Sequence, residues 1–130
     1  MLSSKSELIG ARLIDIIWDA YCAGFLDGEG CFSYRRLIVS NTYPVPLFVL
    51  QERFKGTVRK RKQFKKTRPV YEWAVHGEAV DECLKRVLPY LLEKKQQALL
   101  ILEMSKYPAG SAQRTKMGKE LREAKRTRYD

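Results

Sequence analysis

Apolar and polar positions change period along the chain, and the changes mark out its elements. Residues 5–16 read as a short helical lead-in, followed by a second helix over 17–27. On that helix Ala20, Ala23, Gly24 and Asp27 recur at helical spacing as a narrow small-residue face, while Ile17, Tyr21, Phe25 and Leu26 reach toward a core. Gly28 and Gly30 end it. The period then drops to two. Cys31–Arg35 and Leu37–Thr42 read as strands joined by a tight turn at Arg35-Arg36, with Phe32, Tyr34, Leu37 and Val39 on the core face. Cys31, Ser33, Arg35, Ile38 and Ser40 take the other face. Pro44 and Pro46 open a helix that turns Leu47, Leu50 and Phe54 inward and stops at Gly56. A second hairpin follows, with strands Thr57–Phe64 and Val70–His76. Tyr71, Trp73 and Val75 should face the core, and Glu72, Ala74 and His76 the opposite side. A helix from Glu78 carries Val80, Cys83, Leu84 and Val87. Pro89 breaks it and opens another, running to Met104 with Leu91, Leu92, Leu99, Leu100 and Leu102. Pro108–Ser111 is a linker. Residues 113–127 form a basic helix with Met117, Leu121 and Ala124 as its apolar stripe.

The order is αββαββα with helical extensions. Two hairpins packed on helices predict an α+β domain with one face of an antiparallel sheet exposed. The divisions expected are a helical lead-in over 1–16, a central domain over 17–105 and a basic tail over 106–130.

Charge sharpens this picture. The 130 residues carry a formal net charge of +10, and 45% are hydrophobic. A folded basic chain of this kind points to a polyanionic partner, most often nucleic acid. Between Lys55 and Arg68 there are eight Lys or Arg residues and no acid. Strand alternation puts Thr57, Arg59, Arg61 and Gln63 on one face, a set suited to base edges and phosphates in a major groove. A solvated strand kept soluble by its charges is the plain alternative. The tail from Lys106 adds eight Lys or Arg against three acids. Cys22, Cys31 and Cys83 show no CxxC spacing and read as reduced thiols, which implies an intracellular protein. His76 is the only histidine, so centres built on several histidines are excluded. Residues 8–26 are apolar but contain Arg12, Asp15 and Asp19, which argues against a membrane span.

The candidate chemistry sits at 22–32, Cys-Ala-Gly-Phe-Leu-Asp-Gly-Glu-Gly-Cys-Phe. Asp27 and Glu29 end a helix at the pole that carries partial negative charge, where carboxylates are poorly placed. Nearby cations would remove the conflict, a divalent metal being the best candidate. A second copy packed along the small-residue face would bring two such ends together, the skeleton of a metal-dependent nuclease. A helix that is merely thin on one side explains the stripe equally well.

In order along the chain, these residues resemble the LAGLIDADG homing endonucleases. The 22–32 stretch is similar to the namesake motif, with Cys22 for its leading leucine. Ser40-Asn41-Thr42, Phe54-Lys55-Gly56-Thr57-Val58, Tyr71-Glu72-Trp73-Ala74-Val75 and Leu88-Pro89-Tyr90-Leu91-Leu92-Glu93-Lys94-Lys95-Gln96-Gln97 resemble later blocks, and the likeness covers about 18–104. The motif occurs once. The resemblance therefore implies a homodimer whose motif helices pair through Ala20, Ala23 and Gly24, each half presenting a saddle-shaped sheet to double-stranded DNA at a roughly palindromic site. It implies an intron-encoded, site-specific endodeoxyribonuclease using Mg²⁺, with Mn²⁺ substituting and Ca²⁺ binding without supporting cleavage. Glu29 would be the direct metal ligand, helped by the Gly28 carbonyl. Asp27 would support the turn or the helix pair, Asn41 would order water over the metal, and Lys94 would lie near the scissile phosphate. Surface solvation is the competing reading for Lys94, and Lys95 is its one-residue alternative. Ser33, Arg35, Ile38, Ser40, Thr57, Arg59, Arg61, Gln63, Glu72 and His76 form the implied DNA-binding set.

One departure stands out: eleven residues separate Glu29 from Asn41, a shorter first hairpin than the family's usual. A relative of the same fold that binds DNA without cutting it, or assists splicing of intron RNA as a maturase, is the rival function. A strand-borne nuclease centre is disfavoured because Asp81, Glu82, Glu93, Lys94 and Lys95 fall on expected helices. A structural RNA-binding protein would explain the charge but not the Asp-Gly-Glu-Gly ending.

Overall fold

A computed structural model of the chain describes residues 5–61 and 68–127. The order is α1 (Lys5–Glu29), β1 (Gly30–Ser33), β2 (Arg36–Asn41), α2 (Val45–Phe54), β3 (Thr57–Lys60), β4 (Tyr71–His76), α3 (Glu78–Val87), a 3-10 turn at Leu88–Tyr90, α4 (Lys95–Met104) and α5 (Ala112–Thr127). The expected α+β architecture is observed. Among the described residues, no helix is long and apolar enough to cross a membrane.

The lead-in and the motif helix are one element. Nothing between Lys5 and Glu29 breaks the helical ladder. Gly10 costs such a helix about 1 kcal/mol against alanine but does not end it. The core-facing side of α1 is Cys22, Ala23 and Leu26, all at 0% exposure. Gly28 lies inside the helix, and Glu29 is its last residue.

The four strands form one antiparallel sheet in the order β1-β2-β4-β3, so β2 and β4 are central. Register places Phe32 opposite Leu37, Leu37 opposite Val75, and Val39 opposite Trp73. These residues are buried beneath the helices. The first turn falls on Tyr34-Arg35, one residue earlier than expected, with Arg35 at φ 56°. The pairing of Phe32 with Leu37 leaves two residues between Ser33 and Arg36 for the turn. Arg35 is thus a turn residue, and Arg36 takes the outer-face position opposite His76.

In the second hairpin Val58 pairs with Trp73 and Arg59 with Glu72, matching the expected alternation. Regular pairing of β3 stops at Lys60, and Arg61 N–H continues toward β4 by donating to the Val70 carbonyl (2.7 Å). Gln63 and the rest of 62–67 lie outside the described residues. The step from α2 into β3 uses two positive φ angles, 68° at Lys55 and 91° at Gly56. The Trp73 indole N–H donates to the Lys55 carbonyl (2.8 Å) and seats that step on β4.

Periodicity located the buried faces of α2 (Leu47, Leu50, Phe54) and α3 (Val80, Cys83, Leu84, Val87). It misplaced α4. Leu91 is extended, Leu92 is 90% exposed, and the helix begins only at Lys95, burying Gln97, Ala98, Ile101 and Met104 rather than Leu99. A side chain from α1, described below, meets the amides of the intervening segment. α5 packs on the body through buried Leu121 and half-buried Met117. Its Arg114 guanidinium stacks 3.9 Å from the Tyr34 ring centroid.

Candidate active site and nucleic-acid interface

The end of α1 meets the segment that leads into α4, and each supplies what the other's terminus needs. The Asp27 carboxylate accepts backbone N–H groups from Leu92 (2.7 Å) and Lys94 (2.9 Å). A carboxylate misplaced at the C-terminus of α1 is well placed at the N-terminus of α4. Lys94 makes the reverse exchange. As cap residue of α4 it would be a cation at the wrong pole. Its ammonium instead donates to the Asp27 backbone carbonyl, at the negative pole of α1. Lys94 is therefore 2% exposed, not a solvated surface lysine, and it precedes α4 rather than lying in its first turn. Lys95 is exposed. Part of the charge conflict read at 22–32 is resolved inside the chain by this lysine.

Glu29 is different. It is exposed, stands where α1 hands over to β1, and its carboxylate has no hydrogen bond or ion pair to any described residue. Gly28 beside it is exposed, and a methyl group there would touch nothing within 4 Å. Asn41 is the last residue of β2. Because Gly30 pairs with Val39, the Ser40-Asn41 end of β2 is the end at which Glu29 leaves α1. Asn41 has the core-side parity of Leu37 and Val39, and its Oδ1 accepts from Tyr43 N–H (3.2 Å). Among the described residues there is no cluster of three or more His, Cys, Asp or Glu side chains that could hold a metal. The donors at the α1 end are one unpaired carboxylate and helix-terminal carbonyls. These hard oxygens fit Mg²⁺ or Ca²⁺ with ligands added from outside the chain.

The outer face of the sheet carries, by register, Ser33, Arg36, Ile38, Ser40, Glu72, His76, Thr57 and Arg59. All but Arg36 were expected; the signal for it was the turn register, not composition. Arg59 and Arg61 are largely exposed. Between them Glu72 is 8% exposed in its side chain, with contacts of 3.3 Å to Arg59 and 3.6 Å to Arg61. The acid pins two guanidinium groups at the middle of a basic surface.

The outward side of α1 carries exposed Leu13 and Ile17, then Ala20, Gly24 and Gly28. Ala23 does not belong to it. Its side chain is wholly inside the chain's own core, one residue round the helix from the stripe. An apolar groove of about 430 Å³ runs beside the stripe, lined by Ile17, Trp18, Tyr21, Val45, Pro46 and Val49. On the inward side Asp19 joins Arg53 (3.3 Å) and Arg86 (2.7 Å), while Asp15 joins Arg53 (3.0 Å), tying α1 to α2 and α3. Burial works against the Arg53 charge, but the hydrogen bonds it donates to the Asp15 and Asp19 carboxylates outweigh it and hold the guanidinium above its usual range. Burial pushes the Cys22 thiol up to about 11, and Cys83 higher still.

The sequence matches no protein-family profile and no curated protein. Two solved structures of the homing endonuclease I-CvuI are similar to it. One, bound to the I-CreI target with Mg, has a TM-score of 0.65 at 24% identity, over 89% of this chain and 97% of that one. The other, bound to its own target Sro1.3 with Ca, has a TM-score of 0.62 at 24% identity, over 90% and 98%. The chain has the homing-endonuclease fold.

Proposed function

We propose that the chain is a LAGLIDADG-type homing endonuclease, acting as a homodimer that hydrolyses phosphodiesters in both strands of a long, roughly palindromic DNA site. The observation that carries this reading is Glu29, an exposed, unpaired acid at the end of α1, level with the end of a sheet whose outer face bears arginines. The same fold is seen bound to target DNA in I-CvuI, which is the basis for assigning the outer face to DNA here.

Glu29 and the Gly28 carbonyl would hold a divalent ion, Mg²⁺ in use, with Mn²⁺ substituting and Ca²⁺ binding without cleavage. When bound, that ion supplies water activation and stabilisation of the leaving oxygen. Water attacks phosphorus, the P–O ester bond breaks, and the departing oxygen takes a proton. Asn41 would order that water from the end of β2. Lys94, held at the helix pole, keeps a positive charge close to the transferring group. Arg59 and Arg61, steadied by Glu72, present forks to guanine edges or phosphates, with Thr57, Ser33, Arg36, Ser40 and His76 around them. One chain has one such acid, so the reaction needs a second. The Leu13, Ile17, Ala20, Gly24 and Gly28 stripe allows the two α1 ends to meet on a twofold. The three free thiols suit an intracellular setting.

Cleavage mapping on a randomised duplex library tests the reading. Wild-type chain should cut with Mg²⁺ and not with chelator, and Glu29→Gln should bind the selected site without cutting it. Cutting in chelator refutes the metal assignment. Tight binding with no cleavage by wild type would instead favour a DNA-binding or maturase relative of the same fold.

A further inference from the structure

Asp27 is two residues from the proposed ligand Glu29, and both of its oxygens are engaged elsewhere. Oδ2 accepts the Leu92 N–H at 2.7 Å and Oδ1 the Lys94 N–H at 2.9 Å, while its backbone carbonyl receives the Lys94 ammonium. Three hydrogen bonds thus run between one residue of α1 and the three-residue stretch 92–94, across a sequence separation of 65 to 67. We infer that Asp27 is the positioning residue of this centre: it is a clasp that fixes the Lys94 charge against the end of α1 that carries Glu29, and it is not itself a metal ligand. The inference rests on the endonuclease reading above.

The clasp acts through the backbone. Leu91 leaves the preceding 3-10 turn in an extended conformation, and α4 begins only at Lys95. The segment between has no helical ladder of its own, so Asp27 supplies the acceptors for two of its amides. Remove the carboxylate and the Lys94 N–H loses its partner at a part-buried position, while the Leu92 N–H, at an exposed one, turns to water. The segment relaxes and carries the Lys94 side chain with it. A lysine that is 2% exposed has little freedom while the clasp holds. A cation fixed in advance stabilises developing charge at no reorganisation cost. One displaced by an ångström forfeits about 100-fold in rate.

Asp27→Asn preserves shape and replaces one amide-facing oxygen with an NH₂ group, so one of the two backbone bonds is lost. Three properties of the full-length chain are read: single-turnover cleavage of the selected duplex, affinity for that duplex, and hydrogen exchange at Leu92 and Lys94. The expected result is a rate lower by about 100-fold, with unchanged affinity, unchanged Mg²⁺ dependence of the residual cleavage, and faster exchange confined to those amides. A wild-type rate overturns the inference. So does a shifted Mg²⁺ dependence, which would make Asp27 a ligand, or a rate that falls only together with affinity and unfolding midpoint, which would make it merely structural.

Lys94→Met serves if Asp27→Asn does not fold. It keeps the backbone clasp and removes the charge, so it should slow cleavage while exchange at Leu92 stays protected. Cleavage at the wild-type rate overturns the inference. A wild-type chain that cuts no duplex in the library instead overturns the endonuclease reading itself, a separate result from an active wild type with an equally active Asp27→Asn.

Discussion

Replacing Gly24 by alanine adds one methyl group to the outward stripe of α1. A Cβ built there meets nothing within 4 Å, so the folded chain accommodates it without strain. Alanine in place of glycine within a helix is worth about 1 kcal/mol, and the isolated chain should gain that much. Pairing through the stripe, as proposed above, would reverse the sign. A twofold brings two copies of the methyl group into the same seam, and overpacking a close contact costs about 1–3 kcal/mol per insertion. At the low end the pair loses about 2 kcal/mol, a factor of about 30 in dimer dissociation constant. Sedimentation equilibrium measures that constant. Urea unfolding at concentrations well below it measures the chain alone, since pairing would otherwise raise apparent stability by mass action. Gly24→Ala should unfold at higher urea and dimerise more weakly. A variant that gains the helix stabilisation yet dimerises as tightly as wild type would refute close approach along this stripe and move the interface elsewhere, the Trp18 and Val49 groove being the next place to look.

Three further outcomes are expected. Gly56→Ala places a Cβ 2.5 Å from the Ala74 carbonyl and 2.8 Å from the Trp73 indole nitrogen at φ 91°, which should destabilise the chain by about 3 kcal/mol or more in urea unfolding; a loss below about 1 kcal/mol would show that β3 is not seated as described. Cys22 is raised from 9.0 to about 11 by burial, so as pH rises the unfolded thiol ionises before the folded one. Stability should hold below pH 9 and fall between pH 9 and about 11, less steeply in Cys22→Ala, and a flat profile across that window contradicts the buried thiol. Arg59→Ala and Arg61→Ala should each weaken discrimination at particular base pairs by about 1–3 kcal/mol; if both change only the salt dependence of binding, they contact phosphates.

The faces of α2, α3 and β4 were legible along the chain because their burial is local. A stripe at helical or strand spacing has one side that leaves water, whatever it packs against. Leu47, Leu50 and Phe54, or Trp73 and Val75, could therefore be assigned to the core unaided. The motif at 22–32 was legible too, since two acids at a helix C-terminus conflict with the helix dipole wherever the helix lies.

What only the tertiary structure decided depends on partners distant in sequence. Ala23 and Ala20 are alike in type and near in angle, and only packing against the sheet and α3 puts one inside and leaves the other out. The exchange of Arg35 for Arg36 on the outer face follows from cross-strand pairing of Phe32 with Leu37, which strand alternation alone does not constrain. Pro89 does open a helical turn at Leu88–Tyr90, but the chain goes extended at Leu91, and the Leu92 and Lys94 amides meet the Asp27 carboxylate, 65 and 67 residues away, in place of a helical ladder. Lys94 shows the division most clearly. Its place at the N-terminal pole of its own helix is seen only because α4 begins at Lys95 rather than at Pro89. That it lies at the right pole of α1 is a fact about two helices meeting, which becomes visible only once the chain is folded.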